Sequence, residues 1–272
     1  MSSIDNEQLR KLHEHLLIIM QEVHKICVTN GIRYSLAGGS LIGAIRHKGF
    51  IPWDDDLDIM MPYDDYEKFK EIVFAMQHEW LEFNVVDKTP GCYRPIIKAY
   101  DVRTTLIQSN NSIPKGVFID IFPFVNVGNT MLGAKFEYYL YRMLVAPLVR
   151  KTNVYSDKNP IKEFLLTIVG KTLPASFWYG CIKRQYKRLN KRKTRFVTDL
   201  DGRPNGIVDS KFTEGYELTT FENCLFYRFS HADEYLSSVW GDYMKLPPLD
   251  KQKPGHIAYL NVNLPYKNYH KT

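Results

Sequence analysis

The stretch that decides the fold runs from Leu36 to Pro62 and reads LAGGSLIGAIRHKGFIPWDDDLDIMMP. Gly38-Gly39-Ser40 lies where a predicted strand turns into a predicted helix, so backbone N–H groups and a hydroxyl can approach phosphate oxygens without a side chain in the way. Asp56 and Asp58 stand two residues apart on the next predicted strand. Because side chains alternate along a strand, both carboxylates point to the same face and can share one divalent cation. The stretch therefore predicts a phosphate site beside a metal site.

A third carboxylate lies in the later apolar segment Val117-Phe118-Ile119-Asp120-Ile121-Phe122. Burying a charge without a partner is costly, so Asp120 is expected to face a partner or a metal. If its strand lies beside the strand over 57–61, the three acids converge. Asp120 could then complete the metal site or take the proton of an acceptor hydroxyl. Oxygen ligands and phosphate chemistry favour Mg²⁺ or Mn²⁺ over zinc.

Each motif taken alone also has a simpler explanation. The Gly-Gly-Ser motif could be a turn, and Asp54-Asp55-Asp56 could be a solvated acidic loop. Asp64-Asp65 is interpreted as a helix cap. Asp120 could be a paired acid of the core. The joint order of strand, Gly-Gly-Ser, helix, Asp-x-Asp strand and later acidic strand is hard to explain by structure alone, and it favours the functional interpretation.

Hydrophobic periodicity around this stretch predicts a mixed α/β fold. An amphipathic helix is predicted over 5–29, with Asp5 and Gln8 spaced as in a capping box. Further helices are predicted over 41–46 and 64–77. The predicted strands are 33–37, 57–61, 81–86, 93–100, 104–108 and 117–122. After residue 129 the pattern is mainly helical over 131–151 and 161–193, followed by short strands and turns over 195–228 and a last helix over 231–240.

The composition indicates a globular protein with a small formal charge of +6. This excess does not indicate a nucleic-acid binder, although Lys183–Arg195 is a basic cluster that could favour an anionic membrane surface or a phosphate-rich substrate. The four cysteines lack zinc-site spacing, which suits a reducing compartment. Charged residues interrupt the N-terminal apolar pattern, and no run approaches the ~20 apolar residues of a membrane span. We therefore expect a cytoplasmic protein.

The order of the motifs resembles the nucleotidyltransferase superfamily, whose segments are hG[GS], Dh[DE]h and h[DE]h. The strings GGSLIGAIRHKGFIPWDDDLDI and GVFIDIFPF resemble more narrowly the LicD family, the bacterial phosphocholine transferases related to fukutin. The C-terminal segment from Tyr235 to Pro248, with its GDYMKLPP, also resembles that family. Fifteen residues separate Ser40 from Asp56, which is slightly long for the superfamily but matches the LicD string.

The resemblance implies a nucleotidyltransferase-like mixed sheet flanked by helices, with a catalytic core over 1–130 and a mainly helical acceptor-side region over 131–272. It implies transfer of phosphocholine from CDP-choline to a sugar hydroxyl of a surface glycan precursor such as lipopolysaccharide, teichoic acid or capsule, with release of CMP. Gly39 and Ser40 would contact phosphate. Asp56 and Asp58 would hold the metal, and Asp120 would be the third ligand or the base.

Four further residues are candidates for substrate contacts. Arg46, His47 and Lys48 lie between the two motifs and could bind phosphate, although His47 could instead hydrogen-bond the loop. Lys98 resembles a family position, and its alternative is an exposed lysine on an edge strand. A choline group would need an aromatic cage, and several aromatic residues could either supply it or belong to the core. These aromatic residues are Trp53, Tyr63, Tyr100, Trp240 and Tyr243.

The segments 136–149 and 164–182 are aromatic and apolar, and the basic cluster follows them. They could dock on the membrane beside a lipid-linked acceptor, at the inner face, or form a helix pair that covers the sheet; we favour the helix pair. Three other functions remain open: transfer of another phospho-alcohol from its CDP carrier, nucleotidyl transfer with release of pyrophosphate, and a non-catalytic scaffold for glycan assembly. The presence of all three acids argues against the scaffold.

Overall fold

The computed structural model describes residues 4–86, 88–89, 92, 95–109, 111–150, 168 and 172–270, with only the backbone described for 111, 112 and 150. These residues form a mixed α/β fold, which confirms the predicted class. Most of 161–171, where the sequence predicts helix, lies outside the described residues. The start of the apolar segment 164–182 and of the strand predicted over 93–100 lies outside them as well.

The helices confirm most of the predicted pattern. They are α1 (Asn6–Asn30), α2 (Gly38–Arg46), α3 (Tyr63–Ala75), α4 (Met131–Arg150), α5 (Ala175–Leu189) and α6 (Ala232–Trp240). The capping box of α1 is present: the Asp5 carboxylate accepts from the Gln8 backbone N–H at 2.8 Å, and the Gln8 side chain accepts from the Asp5 N–H at 3.1 Å. Gly31, with φ +60°, ends α1 in the left-handed conformation.

One sheet organises the molecule. Its central order is β1-β2-β5-β4-β10, with β3 also paired to β4 and with β6 joining β5 to β7. β2 runs parallel to β5, and the other pairs are antiparallel. A separate hairpin is formed by β8 and β9. The strands are β1 (Ser35–Leu36), β2 (Asp58–Pro62), β3 (Leu81–Asn84), β4 (Ile97–Gln108), β5 (Asn111–Gly128), β6 (Phe196–Asp199), β7 (Val208–Asp209), β8 (Tyr216–Phe221), β9 (Cys224–Phe229) and β10 (Ile257–Asn261).

Three local predictions need correction. The end of the strand predicted over 93–100 and the strand predicted over 104–108 belong to the single strand β4, which begins at Ile97 and whose pairing with β5 is irregular between Asp101 and Leu106. The chain passes directly from β2 into α3, so Pro62 is the cap and Asp64 lies in the first turn. Asp65 is no cap either, because its carboxylate accepts from the Arg33 side chain at 2.6 and 2.9 Å.

The second half of the chain packs directly on the first. Helices α4 and α5 pack on each other and on β5, and their buried side chains form a core with Val125 and Val127 of that strand. This is the helix pair that the sequence favours. The same half also supplies β6 and the unpredicted β10 to the main sheet, so it is less purely helical than expected. Within the described ranges, no helix combines the length and apolar character needed to cross a bilayer.

Candidate active site

Asp58, Asp120 and Lys98 form one row across three neighbouring strands. Asp58 of β2 is in register with Asp120 of β5, which is in register with Lys98 of β4. The Lys98 ammonium donates to Asp120 Oδ1 at 2.5 Å, and both side chains are only about one-fifth exposed. Lys98 is therefore neither an exposed lysine nor on an edge strand, because β4 pairs with β5 on one side and with β3 and β10 on the other.

Asp56 precedes this row in the chain, and its carboxylate interacts electrostatically with Asp58, Asp120 and Lys98. Burial raises the pKa of Asp56 to about 6, with the charges of Asp55 and Asp120 adding to the effect and His256 opposing it. The pKa of Asp58 is raised well above its ordinary value by burial, and then by the charges of Asp56 and Asp120. The structure thus brings the three predicted acids together with Lys98, and the acids repel one another.

The donor set fits a hard divalent cation. One lysine faces three carboxylates in the row and beside it, which leaves an excess of negative charge, and every candidate ligand atom is an oxygen. Carboxylates with raised pKa values that lie within reach of one another are the environment in which a bound cation restores the ionised form. Asp56, Asp58 and Asp120 are therefore suited to hold Mg²⁺ or Mn²⁺, as the sequence predicts.

Asp55 has a different task, which the sequence did not reveal. Its carboxylate is buried and accepts three hydrogen bonds from the loop before β10: from the Gly255 N–H at 3.1 Å, the His256 N–H at 2.8 Å and the His256 ring Nδ1 at 2.7 Å. Burial works against ionisation, but these hydrogen bonds lower the pKa of Asp55. The hydrogen bond to Asp55 raises the pKa of His256 to about 9. Asp54-Asp55-Asp56 is consequently not a solvated loop.

The same pair makes an alternative metal cluster less suitable. Within the described part of the chain, ligand atoms of Asp55, Asp56 and His256 lie within 4.8 Å of one another. The Nδ1 atom of His256 and both oxygens of Asp55 are, however, already engaged with each other and with the backbone. We therefore assign Asp55 and His256 to the positioning of the C-terminal loop. No sequence signal links them, since they are 201 positions apart.

The glycine motif forms the first turn of α2, where backbone N–H groups have no partner inside the helix. Gly38 has φ +52°, a conformation that favours glycine. A β-carbon on Gly39 would collide with the carboxylate of Asp54, whose pKa burial and the charge of Asp56 raise to about 7. Ser40 is buried, and its Oγ accepts from the Asp58 N–H at 2.9 Å. The motif thus packs against the acidic strand, and its phosphate contacts stay a prediction.

Arg46, His47 and Lys48 lie at the other end of α2. The Arg46 side chain donates to the carbonyl of Tyr243 at 2.6 Å and to His47 Nε2 at 2.9 Å. Burial, and then the charge of Arg46, lowers the pKa of His47. The Lys48 side chain is exposed, and its carbonyl accepts from the Glu222 N–H at 2.7 Å. Arg46 therefore ties the GDYM segment to α2, and a phosphate contact by any of the three stays a prediction.

A cavity of about 140 Å³ opens beside the acidic row. It is smaller than the ~300 Å³ at which small-molecule sites usually begin, so it can receive a part of a ligand, such as a phosphate group, instead of a whole nucleotide. Its polar wall comprises Asp55, Asp56, Gln108, Asp120 and His256, and its apolar wall comprises Leu12, Leu16, Leu106, Phe118 and Ile257. Three of the proposed choline-cage residues, Tyr63, Tyr100 and Tyr243, are buried, which favours their assignment to the core.

Comparison with known proteins adds a second kind of evidence. A protein family described as LicD/FKTN/FKRP, nucleotidyltransferase domain, matches residues 31–148, a range that contains the glycine motif, the three acids and Lys98. The lipopolysaccharide cholinephosphotransferase LicD of Haemophilus influenzae is 30% identical over 263 residues, which cover 93% of this chain and 98% of that protein. The human ribitol 5-phosphate transferase FKRP is 31% identical over 94 residues, or 35% of this chain and 17% of that protein.

Proposed function

This chain belongs to the LicD family and is a transferase of the LicD type, and we propose that it moves phosphocholine from CDP-choline to a sugar hydroxyl of a cell-surface glycan precursor, releasing CMP. The observation that carries the proposal is the row of Asp58, Asp120 and Lys98, with Asp56 beside it. Asp56 and Asp120 line a cavity of phosphate size. The names of the two relatives support the class of reaction, because both describe the transfer of a phosphorylated alcohol.

In the proposed reaction the acceptor oxygen attacks the phosphorus that carries choline. The bond from that phosphorus to the CMP oxygen breaks, and the hydroxyl proton passes to a base. Asp56, Asp58 and Asp120 would hold Mg²⁺ or Mn²⁺, which when bound neutralises charge on the diphosphate. Asp120 accepts from Lys98 through Oδ1, so its other oxygen is the candidate to contact the cation or to take the proton.

The surrounding residues fix this geometry. Lys98 lies 3.8 Å from the centre of the Phe118 ring as well as against Asp120, so its ammonium is held beside the cavity that the two residues line. Ser40 holds the backbone of Asp58, and Asp55 holds the loop of His256. We propose that these contacts keep the carboxylates close despite their repulsion, so that little reorganisation is needed when the donor binds.

We also propose a cytoplasmic location, at the inner face of the membrane, with a lipid-linked acceptor. All four cysteines are free thiols in the structure, which fits a reducing compartment. The similarity to ribitol 5-phosphate transferase favours one second candidate, transfer of ribitol phosphate from a CDP carrier on the same residues.

The test is to incubate the purified protein and Mg²⁺ separately with CDP-choline, CDP-ribitol, CDP-glycerol or CTP, with and without a glycan extract, and to follow CMP and pyrophosphate by mass spectrometry. EDTA and Asp58→Asn are the negative controls, and Asp250→Asn, at an exposed site in a short C-terminal turn, is the matched control. We expect acceptor-dependent CMP from CDP-choline that is lost with EDTA and Asp58→Asn only.

The other outcomes change the proposal in defined ways. CMP from CDP-ribitol alone would replace the head group and keep the chemistry. Pyrophosphate from CTP in place of CMP would replace phospho-alcohol transfer with nucleotidyl transfer. If no donor gives metal-dependent CMP while acceptor is present, the proposed reaction is wrong.

A further inference from the structure

Helix α4 carries apolar side chains on the face that points away from the sheet. Leu132, Phe136, Tyr139 and Met143 follow one another at spacings of four, three and four residues, which places them along one side of the helix. Their exposed fractions are 82, 64, 56 and 67%. The opposite side of α4 is buried in the core with α5 and β5 through Ala134, Tyr138, Tyr141, Val145 and Leu148. A helix that covers a sheet needs one apolar face, so the exposed stripe requires another explanation.

Every exposed charged residue of α4 and α5 that the structure describes is basic. Lys135 and Arg142 are exposed on α4 itself. Asp201 accepts from the Tyr141 hydroxyl on the buried side of α4 at 3.3 Å, and Glu137 of α4 is neutralised by the Arg188 guanidinium at 2.6 Å. That ion pair also fixes the end of α5 against α4. The exposed basic residues of α5 are Arg184, Lys187 and Arg188. Lys191, Arg192 and Lys193, in the turn after α5, line a separate groove with Pro62 and Asn126.

We propose that this α4 docking face, defined as the stripe of Leu132, Phe136, Tyr139 and Met143 with Lys135 and Arg142 beside it, binds the surface of an anionic phospholipid bilayer. Apolar side chains on an exposed helix enter the boundary between headgroups and acyl chains, and lysine and arginine beside them pair with anionic headgroups. The α4 docking face has both features on one helix.

Charge distinguishes the bilayer from a second copy of the chain. A twofold contact through the stripe would bring the same surface of two molecules together. The basic residues of one copy would then approach those of the other, and this repulsion opposes the contact. An anionic bilayer covers the apolar stripe and neutralises the same residues. The docking face stands on its own geometry; that it brings the enzyme to a lipid-linked acceptor rests on the proposed function.

The test measures vesicle binding in the absence of nucleotide, metal and acceptor. The full-length protein is floated with vesicles of mixed phosphatidylglycerol and phosphatidylcholine, and with vesicles of phosphatidylcholine alone. We expect binding to the anionic vesicles that weakens as salt is raised. The double variants L132Q/F136Q and K135E/R142E should each bind at least about tenfold more weakly.

Leu249→Gln is the matched control, because Leu249 is 85% exposed and lies in a different surface segment. It should bind vesicles like the original protein. All of these positions are exposed, so the variants should fold, which circular dichroism and the melting temperature check.

Three results would overturn the proposal: no binding to anionic vesicles, binding that L132Q/F136Q leaves unchanged, or an equal loss in Leu249→Gln. Light scattering that shows a dimer converted to a monomer by L132Q/F136Q would assign the face to a second copy. The CMP assay with a water-soluble acceptor, run on the same variants, separates the two proposals. Loss of vesicle binding with normal CMP release supports the docking face, and absence of CMP in every protein bears on the reaction alone.

Discussion

Two groups of acids on the same sheet differ in how their charge is satisfied. Asp101 of β4 is fully buried, yet it accepts from the Arg103 side chain at 2.9 and 2.8 Å, from the Arg103 backbone N–H at 3.0 Å and from His15 at 3.0 Å. Burial alone would raise its pKa, but these hydrogen bonds lower it. Asp58 has other carboxylates as its strongest charged neighbours, and its pKa is raised.

The difference separates a carboxylate that accepts a full set of hydrogen bonds from carboxylates that mainly repel one another. A buried acid with a full set of donors gains from being ionised, and removing it strands those donors. A group of acids that repel one another opposes folding, and such groups concentrate at functional sites. The comparison therefore predicts opposite consequences for the same Asp→Asn change in the two places.

The largest effect is expected from Asp58→Asn. It removes one carboxylate from the row, and kcat/KM for CMP release should fall on the order of 100- to 1,000-fold, as for the loss of one electrostatic contact in an active site. The metal-free variant should be at least as stable as the original protein, because a repelled charge is gone. Steady-state kinetics and urea unfolding in EDTA measure both. If Asp58→Asn is inactive because it has unfolded, Asp58 is a stabilising acid like Asp101, and the contrast between them is wrong.

Asp101→Asn should show the reverse. We expect a loss of about 3 kcal/mol in the free energy of unfolding, at the low end for a broken buried ion pair because Arg103 is half exposed. Activity per folded molecule should change only a few-fold. The control is Glu217→Gln, which breaks the pair between the half-exposed Glu217 and Arg228 and should cost less than about 1 kcal/mol. Equal losses in the two variants would show that Asp101 is no more structural than a surface acid.

The sequence predicts the acidic row because its information is local. Two alternating acids on one strand and a single acid in an apolar strand suffice once the strands are neighbours, and the register of Asp58 with Asp120 provides this. The sequence does not separate satisfied from unsatisfied acids. The donors to Asp101 include His15, 86 positions away, and those to Asp55 come from residues about 200 positions away.

The fold shows the same limit. Periodicity and capping residues predict α1 almost to the residue, because both act within one turn of helix. The strand β10 lies outside the prediction, since five residues of mixed character become a strand only where β4 offers a free edge. The cap predicted at Asp64 fails for a similar reason: the direct passage from β2 to α3 is a property of the assembled sheet and helix.

Stability should fall on both sides of an optimal pH, and different acids should cause the two losses. Asp54 and Asp56 have pKa values raised to about 7 and about 6. The stability that the protonated forms of these two acids provide is therefore complete below the pKa of an unfolded aspartate, and it is lost as the pH rises through 6 to 7. The pKa of Asp101 is lowered, so its contribution is present above the unfolded pKa of about 3.9 and is lost as the pH falls.

Melting temperatures in EDTA at pH 3, 5 and 7 test both losses. The original protein should melt highest near pH 5 and lower by a few degrees at pH 7. Asp54→Asn should shrink the difference between pH 5 and 7, and Asp101→Asn should shrink that between pH 3 and 5. Mg²⁺ should restore stability at pH 7, because it binds the ionised acids of the folded state. A melting temperature that rises from pH 5 to 7 in EDTA would contradict the conclusion that Asp54 and Asp56 are destabilised when they ionise.

The smallest effect tests whether Asp54 acts together with the repelling acids Asp56, Asp58 and Asp120. In Gly39→Ala the new β-carbon displaces the Asp54 carboxylate, which is the movable end of a side chain, so we expect roughly a tenfold loss of kcat/KM with little change in stability. Gly180→Ala is the control, because a β-carbon there meets nothing within 4 Å. Alanine inside α5 should raise the free energy of unfolding by about 0.5–1 kcal/mol without affecting activity. If Gly39→Ala keeps full activity, displacing Asp54 does not disturb the reaction. The set of mutually repelling acids that matter for the reaction is then Asp56, Asp58 and Asp120. The contact between Asp54 and the glycine motif is in that case a packing contact only.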